Sequence, residues 1–516
     1  MGTRSTSASP PPHVEDRRPL LDEDSDGPLP DKVQGRDGAA TLVSCIANLA
    51  NTVIGTGSLA MAHAFAGEGL VPGVFMVLLC GSTAAFGLYL LTRCAAMAPH
   101  RAASFSSLSN LTYPGLARLF DFAVALKCFG VSISYLIVIG ALMPKVRLQR
   151  KIPMSADSRS LKRAQVVHSF NPDLSHSVFL DRRLWILASM TLLCPLAFLR
   201  RLDSLKLTSY IALCTIGYLV FVVVFYTFVD DEALPPPGDL ELFRFGPSFI
   251  QSIPVQVFAY TCAQNIFAVF NELKSNTQAR LNIAVGTSIG SAAIIYEVLG
   301  ILGYLTFGSA VGGNLIEMYP RNKIVLIGQV GIVILVLFSY PLQLHPARAS
   351  LDKFLFPQRT AAADTNGENA SLVGGADADH GHGDGDEIPL GRFVVESAAL
   401  LFTTFLIAMF VSSLETVLGF VGATGSTTIS FILPSIFFLS LFKDSESPHD
   451  RRMRFLAMLL LTWGVCVMVV SLSLNIYHLV QQPAQGSLHT LGYLGGKVVA
   501  EALPLPAAEG GAATTS

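Results

Sequence analysis

Residues 41–66, TLVSCIANLANTVIGTGSLAMAHAFA, form an apolar run longer than the ~20 residues that cross a bilayer, yet Gly55-Thr56-Gly57 interrupts it near the middle. Glycine inside a helix costs about 1 kcal/mol relative to alanine, and an opened turn leaves backbone N–H and C=O groups seeking partners. Hydrocarbon supplies none. Unwound backbone at that depth survives only where it faces protein, water or a bound solute. Small residues also let membrane helices approach closely, which alone accounts for the two glycines. It does not account for Asn51, Thr52, Thr56 and Ser58 around them. That density of hydrogen-bonding groups marks 41–66 as a discontinuous helix of the kind that lines a solute path.

Composition extends the membrane reading to the whole chain. Charged residues make up 14% of 516, against about 25% in ordinary soluble domains. A net charge of −2 offers no footprint for nucleic acid, and no P-loop or dinucleotide-binding glycine pattern occurs in its required setting. The eight cysteines, Cys45, Cys80, Cys94, Cys128, Cys194, Cys214, Cys262 and Cys466, lie in apolar stretches or at their ends, matching neither a disulfide framework nor a zinc site. The polar, acidic N-terminus has no apolar signal segment, so the first span is expected to direct insertion.

Eleven stretches are long enough to span: 41–66, 70–94, 120–143, 183–199, 205–229, 247–271, 281–307, 323–345, 393–414, 416–441 and 454–477. The shortest, 183–199, closes on Arg200-Arg201, and Gly67-Glu68-Gly69 reads as a tight turn between the first two spans. The expected organisation is a disordered cytosolic tail over 1–38, a membrane domain over 39–480 with a disordered loop at 356–391, and a flexible tail over 481–516. Within the loop, His380 and His382 read as solvated rather than metal-binding. The larger share of the 35 Lys and Arg falls on the side of the N-terminus, which makes that side cytosolic. The basic 144–183 loop then lies outside, against the trend, and the sequons at Asn110 and Asn369 face the cytosol unmodified. In the tail, Asp16-Arg17-Arg18-Pro19-Leu20-Leu21 is similar to an acidic dileucine signal. It would offer a sorting adaptor Asp16, Leu20 and Leu21 and route the protein to a vacuole or lysosome; the plasma membrane is the alternative.

Eleven spans divide as five, five and one. If the first two fives are inverted repeats, span six must be broken like span one, because both build the site on the pseudo-two-fold axis. Span six carries Pro254, which removes a backbone donor, and the polar run Tyr260-Thr261-Cys262-Ala263-Gln264-Asn265. A proline-kinked helix is the plainer alternative. The pairing has a chemical consequence. Free N–H groups at Thr56–Ser58 and the positive end of a half-helix suit a carboxylate, while carbonyls at Phe258–Tyr260 suit an ammonium. The candidate binding residues are Asn51, Gly55, Thr56, Gly57 and Ser58 with Phe258, Ala259, Tyr260 and Thr261. Such a grip reads the shared head of α-amino acids and leaves the side chain to another pocket.

These motifs carry a resemblance. The run Asn51 to Ser58 is similar to the first-helix signature of the amino acid/auxin permease superfamily. Lys127–Tyr135, Val257–Asn265 with Asn271-Glu272-Leu273, Gly303–Gly308, His345-Pro346-Ala347-Arg348 and Gly419–Pro434 follow in the order of that family, over roughly 41–477. The chain resembles fungal vacuolar amino acid transporters and, further off, sodium-coupled neutral amino acid transporters. The resemblance implies an all-α membrane protein of eleven transmembrane helices in the LeuT-type 5+5 inverted repeat, with helices one and six broken. It implies secondary active transport of amino acids by alternating access, spans one, two, six and seven rocking against the rest. Two positions depart from it: Ala263 stands where many relatives have His, and Leu344 where many have Cys.

No cofactor is called for, but a coupling ion is. Glu297, in the middle of span seven, is the only acidic residue at that depth, and a carboxylate there is expensive when charged. It is the candidate proton carrier, with a structural glutamate as the alternative. Asn51, Ile54 and Ser339 form the candidate cation site if sodium drives transport instead. Proton coupling fits a vacuole better. Lys127 and Glu272 read as snorkelling or gating residues, and His63 and His345 as packing histidines near helix ends. The Gly419–Ser430 segment reads as close helix packing, with a gating hinge as the other reading. Two function classes stay open beside transport: an amino acid sensor of the same fold with little flux, and, far behind, a membrane enzyme, for which no catalytic constellation is present.

Overall fold

The computed structural model describes residues 38–98, 101–151, 181–198, 206–229, 234–356 and 388–502. Within them the chain is all-helical, apart from connecting segments and one isolated bridge between Ala40 and Leu273. The dileucine segment, His380 and His382, most of the 144–183 loop and residues 503–516 lie outside the described residues.

Span one divides into α1 (Leu42–Val53), a 3-10 turn (Thr56–Ala60) and α2 (Met61–Glu68). Then come α3 (Leu70–Ala95), α4 (Phe105–Thr112), α5 (Ala117–Lys151), α6 (Arg182–Ala197) and α7 (Lys206–Phe228). Span six is α8 (Pro247–Ala259) and α9 (Ala263–Glu272), followed by α10 (Gln278–Phe307), α11 (Lys323–Leu355) and α12 (Leu390–Phe410). The chain closes with α13 (Leu414–Val421), two π-helical turns, α14 (Leu433–Leu441) and α15 (Pro448–Ala502).

Among the described residues, nine helices are long and apolar enough to cross a membrane, and ten if the bent pair forming span one counts as one. The difference from eleven lies at 183–199. There α6 has 16 residues, about 24 Å at 1.5 Å per residue, short of a hydrocarbon core of about 30 Å. Two other boundaries move outward. The eighth span, expected to stop at 345, runs through Pro341 and Pro346 to Leu355, which places His345 inside the helix and exposed rather than near its end. The last helix continues to Ala502, beyond the expected start of a tail at 481.

Burial sorts the spans. In Pro114–Pro144 and Pro247–Glu272, 83% of the most apolar stretch is buried, against 28% in Pro448–Gln481. Spans three and six are therefore the axis of the bundle and the last helix its rim. The outer faces carry Phe75, Ile294, Phe402, Phe410 and Val469, all exposed, as a lipid-facing belt must. Helix ends are closed locally: Thr41 accepts from Ser44 N at 3.2 Å, Asn322 from Val325 N at 3.1 Å, and Ser104 with Ser107 forms a capping box. Arg182 Nη2 donates to Ala408 O at 2.8 Å and Val411 O at 2.5 Å, so one cation of the basic loop neutralises the carbonyl end of α12. All eight cysteines are free thiols.

Candidate functional site

Span one bends by 43° at its interruption. The α1 ladder ends with Ile54 N donating to Ala50 O at 2.8 Å, and Gly55 N turns back to Val53 O at 2.9 Å. Gly55 has φ −129° and ψ −144°, outside any helix, and the chain re-enters a helical path at Thr56. Ser58 stitches the new turn, its N at 3.1 Å and its Oγ at 2.7 Å from Gly55 O. The first amides of a helix have no partner within it, so Thr56 and Gly57 present donors at the break. Thr56 Oγ1 lies 3.2 Å from Ser134 Oγ on α5.

Span six opens over Tyr260–Cys262, between Ala259 and Ala263. Tyr260 N still reaches Gln256 O at 3.2 Å, and Thr261 N reaches Phe258 O at 3.1 Å. Thr261 Oγ1 donates to Val257 O at 2.7 Å and accepts from Ser430 Oγ at 3.4 Å. The half-helix ends where the polar run begins, at Ala259, and Pro254 lies within α8, a turn and a half earlier.

The two openings touch. A β-carbon on Gly57 would stand 2.7 Å from both Cα and Cβ of Ala259. A third residue joins them: Tyr296 Oη lies 2.7 Å from Val53 O and 2.9 Å from Ala259 O, in donating range of the last carbonyls of α1 and α8. Its ring meets that of Tyr260 edge to face, with centroids 5.1 Å apart. Nearer the chain's N-terminus, Asn265 Nδ2 donates to Thr52 Oγ1 at 2.6 Å and ties α9 to α1. Thr56, Gly57, Ser58, Phe258, Ala259, Tyr260 and Thr261 thus converge on one buried place, every one of them under 9% exposed.

The cation candidates are linked less directly. Tyr135 is hydrogen-bonded to Ser339, and its hydroxyl would be 3.9 Å from a β-carbon on Gly55. Ser339 is therefore one side chain removed from the opening in span one, where Ile54 is buried and Asn51 half-buried. Glu297 follows Tyr296 on α10, and both of its carboxylate oxygens are buried without a hydrogen-bond partner.

Of four side readings, only that of Lys127 changes in space. Lys127, expected to snorkel, is buried at 2% exposure, and a β-carbon on Gly425 would come 2.8 Å from its Cα. Glu272 is exposed at the end of α9, as a gating position allows. His63 Nδ1 is 3.0 Å from Val311 O, a packing contact. Gly422 and Gly425 in the π-helical turns admit Pro254 and Lys127 against the backbone, so close packing explains the glycines of span ten. Sequence reasoning passed over Tyr296 because a lone tyrosine beside Glu297 carries no signal until α10 is placed against both openings.

Comparison with known proteins comes to the same place. A family model described as "Transmembrane amino acid transporter protein" matches residues 38–477. Vacuolar amino acid transporter 5 of Schizosaccharomyces pombe is 38% identical over 448 residues, 85% of this chain and 95% of that protein. Vacuolar amino acid transporter 6 of Saccharomyces cerevisiae is 35% identical over 463 residues, 84% of this chain and 98% of its own. Sodium-coupled neutral amino acid symporter 2 of Danio rerio is 22% identical over 486 residues, 88% of this chain and 86% of its own.

Proposed function

The chain belongs to the transmembrane amino acid transporter family, and on that premise we propose that it carries α-amino acids across a vacuolar membrane as a secondary active transporter. The observation that carries this reading is the contact of the two openings at Gly57 and Ala259. Amide donors at the start of one half-helix stand beside carbonyls at the end of another. A carboxylate takes the first and an ammonium the second. Tyr296 holds the two carbonyl ends in register, so the ammonium meets a preformed acceptor pair.

The coupling ion in this reading is the proton, taken by Glu297, whose buried oxygens have no partner and whose neighbour Tyr296 touches both openings. Alternating access moves spans one and six, with two and seven, against the others in a five-plus-five inverted arrangement that counts α6 as a short fourth span. The sodium reading rests on the Tyr135–Ser339 link beside Gly55 and on the symporter relative. Uptake of a mixture of labelled amino acids into proteoliposomes, under an imposed pH gradient and then a sodium gradient, tests both. Accumulation with the pH gradient alone is expected. Accumulation with sodium alone transfers the role to Asn51, Ile54 and Ser339, and binding without flux under either gradient replaces the transporter with a sensor.

A further inference from the structure

Glu68 is the last residue of α2, joined by Gly69 alone to α3, a place where an acidic residue ordinarily meets water. Glu68 is instead 0% exposed, as is Gln256 on α8. Gln256 Nε2 donates to Glu68 Oε2 at 2.9 Å. That leaves Glu68 Oε1 and Gln256 Oε1, both buried and both without a partner. An ionised carboxylate sealed from water with a single amide donor is very costly. One proton on Glu68 removes the charge and supplies the donor that two neighbouring acceptors lack.

No counter-charge does this instead. Arg244, from the segment before α8, adjoins this turn, but its N donates to the Glu68 main-chain O at 2.9 Å and its Nη1 to Ala66 O at 2.8 Å. Its Nε pairs with Glu241 at 3.2 Å. The α3 face contributes the Cys80 thiol; Tyr260 and Glu297 stand beyond Cys80, and on α10 Tyr304 Oη accepts from Glu241 N at 2.9 Å. On α2 itself His63 is bound to Val311 O, and beyond it Glu317 accepts from Asn314. Among the described residues, Glu68 makes no ion pair.

We propose that Glu68 and Gln256 form a proton-binding site that latches α2 against α8 one helical turn from Tyr260, closing the path between the openings and the mouth remote from α1 and α9. The seam is close-packed around this pair: Ser248 Oγ donates to Gly67 O at 3.1 Å, and Gly67 has room for no side chain against Ser252. Parting it admits water to Glu68, which then ionises. The proton binds the closed seam and not the open one, so by linkage acid holds this mouth shut and its loss releases it. In the orientation read from the basic residues this is the lumenal mouth. The site is separate from Glu297 and stands whichever ion is coupled.

The test uses full-length Ser252→Cys protein in proteoliposomes, treated with a membrane-impermeant maleimide across a pH series and read at residue 252 by peptide mass spectrometry. Because the maleimide attacks only the thiolate, labelling at each pH is divided by that of the same protein denatured at that pH; the corrected labelling is expected to rise at least tenfold from acid to alkaline pH, and to stay low and flat when Glu68→Gln is added. Infrared spectra of the native protein and of Glu68→Gln should differ by one protonated-carboxyl band at acid pH. Gln256→Leu, which keeps the acid but removes its partner, should be labelled at every pH. Undiminished pH dependence in Glu68→Gln, an infrared band common to both proteins, or a Gln256→Leu profile matching its parent would each overturn the latch.

Discussion

Replacing Gly57 by alanine puts a β-carbon 2.7 Å from both Cα and Cβ of Ala259. Carbon atoms rest at about 3.5–4.0 Å, so the two openings must move apart by roughly 1 Å. Overpacking of this size costs about 1–3 kcal/mol, which corresponds to about 5- to 150-fold in an equilibrium constant. The penalty falls on the state in which the openings close on a substrate, so it is read as lost uptake rather than lost protein. Initial rates in proteoliposomes, at matched incorporation, should fall by about that factor in Gly57→Ala, and Gly57→Val should be inactive while still inserting. One contact is with a removable Cβ and the other with a Cα that stays, so adding Ala259→Gly should restore part of the loss and not all of it. Gly55 gives the contrast, since its β-carbon would meet only Tyr135 Oη at 3.9 Å, and Gly55→Ala should retain most of the rate. Wild-type kinetics in Gly57→Ala would refute the idea that the openings must touch to hold substrate.

Tyr296→Phe removes a hydroxyl shared by Val53 O and Ala259 O, and substrate binding measured by calorimetry should weaken by about 2- to 12-fold, the worth of one net hydrogen bond; unchanged affinity would make the tyrosine a spectator. Glu297→Gln cannot take up a proton, so uptake should lose its response to an imposed pH gradient while exchange of labelled for unlabelled substrate persists; an intact response reassigns the carrier. Ser339→Ala should leave pH-driven uptake unchanged and abolish any stimulation by sodium, and stimulation that survives it would exclude the Tyr135–Ser339 link from a sodium site.

Span one was legible because two cues coincide there, a glycine pair and a polar ring about it, and either alone would fit ordinary packing. Span six was legible by its polar run, where the helix opens, while Pro254 stays inside α8, since a membrane helix tolerates a missing donor when its neighbours compensate. The same tolerance carries α11 through Pro341 and Pro346. Glu68 and Lys127 were misplaced for a common reason. Gly-Glu-Gly reads as a turn, and a lysine early in a span reads as reaching for water, because sequence reports distance along the helix and not which neighbour closes over it. Only the approach of α8 buries the first, and only the bare backbone at Gly425 makes room for the second.

Tyr296 fastens to carbonyls that every amino acid possesses, and Thr56 and Gly57 offer amides that most substitutions preserve. Alanine scanning, the usual way to map a recognition surface, would therefore leave much of this one intact. Stripping Phe258, Tyr260 and Thr261 of their side chains should change which residues are carried more than whether any are. Ester or N-methyl substitution of single peptide linkages, introduced by semisynthesis, is the chemistry that reaches a grip written in the polypeptide itself.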